Sequence, residues 1–112
     1  MASIIDKARA VLDPGEEVLS VVVGSYVTEV RRPKGVLMAT DRRVVFYGSK
    51  VVGDHVATVT YDQISSVGVS SGLLGATVRL VAGGATVVEL NRGAKADAEA
   101  FARIVRERQA TT

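Results

Sequence analysis

The feature that most constrains this chain is a change of hydrophobic period. Between Glu16 and Leu90 apolar and polar residues largely alternate and β-branched side chains dominate, while the segments before and after have helical spacing. Alternation sends successive side chains to opposite faces of a strand, whereas a helix repeats its face every three or four residues. Such a chain forms a sheet with helices at its margins. It lacks the strand–helix alternation of a parallel α/β fold.

In the opening segment Ile4, Ile5, Ala8, Val11 and Leu12 fall on one helical face. Ser3 as N-cap with Asp6 three residues on makes an acidic capping box, and Asp13-Pro14-Gly15 stops the helix. The spacing predicts a helix over about 3–12. Seven strands follow, at 17–30, 36–40, 44–49, 55–61, 64–70, 76–82 and 85–90. Each ends in a turn signal, and Gly83-Gly84 predicts a two-residue hairpin of primed type. A closing helix is expected over 94–109, with Ala98, Phe101, Ile104 and Val105 on one face and Phe101 plugging a sheet-lined cavity. The domain division is 1–15, helix and connector, and 16–112, the body.

Seven short-looped antiparallel strands must bury a face and manage two edges. The expected fold is mainly β, of the α+β type: a curved sheet or nearly closed barrel capped by the C-terminal helix. Gly68 is the position where the fifth strand is expected to bend. Two strands break alternation, because Val21-Val22-Val23 and Val44-Val45-Phe46-Tyr47 are apolar on both faces. They require cover on both sides, from the N-terminal helix or from another subunit. Ile4, Ile5, Val22 and Val45 are therefore candidate interface residues.

Composition excludes more than it assigns. Fourteen Lys and Arg against twelve Asp and Glu leave a net +2, too balanced for a nucleic-acid protein. No cysteine is present, so disulfides and thiolate chemistry are excluded. The one histidine, His55, adjoins Asp54, but neighbours in a strand point apart, so no triad can form. A metal site is not expected from one histidine, nor is any cofactor or catalytic residue. No apolar run is long enough to span a bilayer and the N-terminus lacks a secretory pattern, so a cytoplasmic location is expected.

The segment from Gly35 to Gly48, GVLMATDRRVVFYG, with Tyr61-Asp62-Gln63-Ile64-Ser65-Ser66-Val67, resembles the bacterial pleckstrin-homology (PH) domains, and within them the YokE-like group. These are also similar to GRAM domains. Gly72-Leu73-Leu74-Gly75 and the Phe101 helix fit the same resemblance, which covers roughly 16–108. It implies seven strands in two packed sheets under a C-terminal helix, and no catalytic activity.

Residues 30–50 hold six cations against Asp41, a net +5. In PH-like folds the first and third inter-strand loops share an open end where anionic headgroups bind. The resemblance thus makes Arg31, Arg32, Lys34 and Lys50 the anion- or lipid-binding candidates, while Arg42 and Arg43 lie at the opposite end. Leu73 and Leu74, at a turn, are expected under a neighbouring element or in a subunit contact. The resulting expectation is a non-catalytic interaction module with protein partners, including its own copies. The alternative is a weak binder of anionic membrane surfaces.

Overall fold

The computed structural model describes residues 3–26, 33–49 and 54–110. Helix α1 (Ile4–Arg9) leads into strands β1 (Val18–Ser25), β2 (Lys34–Thr40), β3 (Arg43–Ser49) and β4 (Asp54–Thr60). A 3-10 turn at Tyr61–Gln63 precedes β5 (Ile64–Gly72), β6 (Gly75–Ala82), β7 (Ala85–Gly93) and helix α2 (Lys95–Ala110). All strand pairs are antiparallel, in the order β4-β3-β2-β1-β7-β6-β5. The expected order of helix, seven strands and helix is observed.

Local signals account for most element ends. Ser3 Oγ accepts from the Asp6 amide at 3.2 Å and Asp6 Oδ2 accepts from the Ser3 amide at 3.3 Å, the reciprocal capping box. Helix α1 ends at Arg9, three residues before its expected end, although Val11 and Leu12 still pack on the sheet. Gly83 and Gly84 take φ of 62° and 80°, as a primed hairpin turn requires. β5 has its register irregularity between Ile64 and Ser66, not at Gly68, whose outward side opens on empty space.

Two apolar clusters lie on either side of β1–β3. The inner one takes Val22, Leu37, Ala39, Val44 and Phe46 from these strands and closes on Val78, Leu80 and Leu90. Phe101, fully buried on α2, fills its centre as expected. The outer one takes Val36, Met38, Val45 and Tyr47, with Val21 and Val23, and is covered by Ile4, Ala8, Val11 and Leu12. The doubly apolar strands thus find their second cover within the chain.

Among the described residues the two halves of the sheet pair at one place, Ser25 with Asn91. Gly24 makes that approach possible, since a Cβ there would stand 2.2 Å from the Asn91 carbonyl oxygen. Gly24→Ala must push β1 and β7 apart, and a destabilisation of about 1–3 kcal/mol is expected in urea unfolding. A loss below about 0.5 kcal/mol would show that the junction yields freely.

Candidate interaction surface

The Thr-Asp-Arg-Arg turn joining β2 to β3 is a polar knot around the buried Thr40. Thr40 is the buried polar residue of the described core. Its hydroxyl donates to Glu16 Oε2 at 2.6 Å and accepts from the amides of Arg42 and Arg43 at 3.1 and 3.0 Å. Arg43 forks onto the same carboxylate, with Nε 2.9 Å from Oε2 and Nη2 2.8 Å from Oε1, while the Asp13 amide donates to Oε1 at 3.0 Å. The Arg43 fork, chiefly, holds the Glu16 carboxyl down at about 2, against the cost of its burial. The Tyr61 hydroxyl donates to the Thr40 carbonyl, and burial pushes Tyr61 up to about 12. The two segments that carry the family resemblance therefore meet in one contact that binds β2 to the end of β4.

Asp54 and His55 point apart, as neighbours in a strand must. Asp54 accepts from the Tyr47 hydroxyl on the outer side, a bond that with burial raises Tyr47 to about 12. His55 lies against Phe46 of the inner cluster, ring centroids 5.7 Å apart. Among the described residues no group of three or more His, Asp or Glu is placed to hold a metal ion. None of the described helices is long and apolar enough to cross a membrane.

Of the anion candidates, Arg31, Arg32 and Lys50 lie outside the described residues. Lys34 is exposed at the start of β2, opposite Ser25. The registers put this end of β2 beside the end of β3 and the start of β4, with the Arg42–Arg43 turn at the other end. Arg43 is in any case committed to Glu16.

The interface candidates divide sharply. Val22 is fully buried in the inner cluster and Val45 under α1, so neither presents a contact surface. Ile4 is half-buried against the outer cluster, and Ile5 is half-buried outside it. Leu73 and Leu74, expected under a neighbour, stand open at 105% and 72% exposure. No described element buries the tip of the β5–β6 turn.

Beside these leucines is a shallow depression of about 490 Å³, lined by Ser70, Leu73, Leu74, Thr77, Asn91 and Arg92 among others. Arg92 has φ of 60°, a left-handed conformation unusual for a side chain with a Cβ. The cause is a bulge: between the pairs Ala76–Gly93 and Val78–Leu90, β7 has one residue more than β6. The bulge re-aims Arg92 toward the rim of the depression.

Residues 12–107 match the family described as "Bacterial PH domain". The chain belongs to the bacterial PH domain family. Among solved structures, this bacterial PH domain is similar to the crystal structure of the C-terminal domain of an unknown protein from Leishmania infantum. The TM-score is 0.60 at 16% identity, over 88% of this chain and 87% of that one, so the likeness concerns the fold alone. No curated protein matches the PH domain at significance. PH domains are generally non-catalytic modules that mediate protein or lipid interactions.

Sequence reasoning missed Glu16 and Arg92 in this PH domain. Glu16 reads as a solvated residue after a turn, and its partners lie 24 and 27 positions away. For Arg92 a signal existed in Asn91-Arg92-Gly93, a turn-like triplet inside what becomes β7.

Proposed function

We propose that this bacterial PH domain is a non-catalytic protein-interaction module that docks a partner on the tip of the β5–β6 hairpin. The reading is carried by one observation, two fully or largely exposed leucines beside a strained Arg92. Adjacent exposed leucines gain about 1.5–3 kcal/mol each when covered, and backbone strain is more often retained at contact sites than elsewhere. The partner that fits is a protein surface with an apolar pocket and a carboxylate at its rim, where Arg92 supplies a planar fork. The segments 35–48 and 61–67 further support a YokE-like member, and a cytoplasmic location belongs to the same proposal.

Comparative pull-down with wild-type domain and the Leu73→Ser, Leu74→Ser variant tests this reading. A partner should be retained by the wild type and lost from the variant, with thermal melting unchanged because both positions are exposed. Partners retained equally by both would refute it. Binding to acidic vesicles that weakens with salt and with Lys34→Glu would favour an anionic membrane surface instead.

A further inference from the structure

The two edges of the sheet are managed very differently. β5 carries a register irregularity at its start, and α2 reaches over it to occupy its backbone: Gln109 Nε2 donates to the Ile64 carbonyl at 2.8 Å and Arg106 Nη2 to the Val67 carbonyl at 3.1 Å. Both devices block strand addition. β4 has neither. It pairs with β3 in unbroken register from Asp54 to Thr60, and no other described strand runs along its far side. Its sequence, DHVATVT, has no lysine, proline or glycine, and Val56, Thr58, Val59 and Thr60 are β-branched. Most of the strand is exposed, including Val56 at 46%. A regular edge of this kind, with a single charge at its first residue, offers its free amides and carbonyls as a template.

We propose that β4 is a self-association edge, pairing antiparallel with β4 of a second copy about a two-fold axis at Ala57. The strand is complementary to itself in that register. Val56 faces the second copy's Thr58, Asp54 faces Thr60, His55 faces Val59, and Ala57 meets Ala57. The one carboxylate meets a threonine, so no like charges oppose each other, and Val–Thr pairs suit neighbouring strands. One patch used by both copies closes the assembly as a dimer. Seven residues per chain make a small contact, so the dimer is weak and concentration-dependent. This surface is separate from the hairpin tip and stands if that reading fails.

Sedimentation velocity of the full chain over micromolar to millimolar concentration tests the proposal. A monomer–dimer equilibrium is expected. Val56→Lys with Thr58→Lys places lysine opposite lysine twice and should raise the dissociation constant more than about tenfold. Val56→Lys with Thr58→Glu places opposite charges in the same pairs and should leave it unchanged or lower it. Amide exchange of the wild-type chain reads the same contact without substitution, and β4 should gain protection with concentration while β5 does not. A monomer at every concentration, a dimer indifferent to the lysine pair, or one lost in the Leu73→Ser, Leu74→Ser variant overturns the assignment.

Discussion

Arg43→Ala is expected to destabilise the domain by about 3–5 kcal/mol, because it strands the Glu16 carboxylate without its main partner. The Glu16 side chain has no exposed surface, and its oxygens are shared among Arg43, Thr40 and the Asp13 amide. Removing both charges should cost much less than removing one, so Glu16→Gln with Arg43→Met should recover part of the loss. Urea unfolding of both variants checks this. Equal losses for the single and double variants would mean that the charge pairing is immaterial.

The same carboxylate gives the domain an acid dependence of definite sign. Glu16 is held at about 2 in the folded chain, below its ordinary 4.5. Its contribution is therefore complete above pH 4.5 and is lost as pH falls through about 2. Its partner Arg43 is partly exposed, and solvent screening brings the contribution down to about 2 kcal/mol. Glu16→Gln should remove that part of the acid-induced loss, as urea midpoints between pH 5 and pH 2 would show. An identical pH slope in wild type and variant would count against it.

Phe101→Ala is expected to cost about 3–5 kcal/mol, as for a large aromatic truncated in a core that cannot collapse around the gap. Phe101 is fully buried in the cluster that unites β1–β3 with β5–β7, and α2 packs on β1, β2, β5 and β6. Because the described strands of the two halves pair only at Ser25 and Asn91, the packing of this side chain adds to what joins them. Denaturant unfolding with far-ultraviolet dichroism reads the effect. A loss under about 1 kcal/mol would mean that α2 merely lies on the sheet and does not hold its two halves together.

The elements were legible because each depends on neighbours in sequence. The capping box at Ser3 and Asp6, the Gly83-Gly84 turn and the alternation of Ala76, Val78 and Leu80 are satisfied within a few residues. The need for a second cover on Val45 and Val21 was legible too, but not what supplies it. Ser65 to Gly72 offered little side-chain volume to place, and the register irregularity of β5 falls at its start and not at Gly68. At the candidate site the sequence marked Leu73 and Leu74 as notable yet favoured their burial, since two adjacent leucines usually find a neighbour.

From the order of residues alone came the antiparallel β scaffold, the helical lid with Phe101 and the family signatures at 35–48 and 61–67. These follow from periodicity, turn chemistry and local caps, which act over short stretches of chain. Only the folded arrangement decided that α1 covers Val45, that Arg43 is spent on Glu16, that Leu73 and Leu74 stand open, and that among the described strands β4 is the unguarded edge. Each of those outcomes depends on groups brought together from distant positions, or on the absence of anything brought near, and no local pattern encodes either.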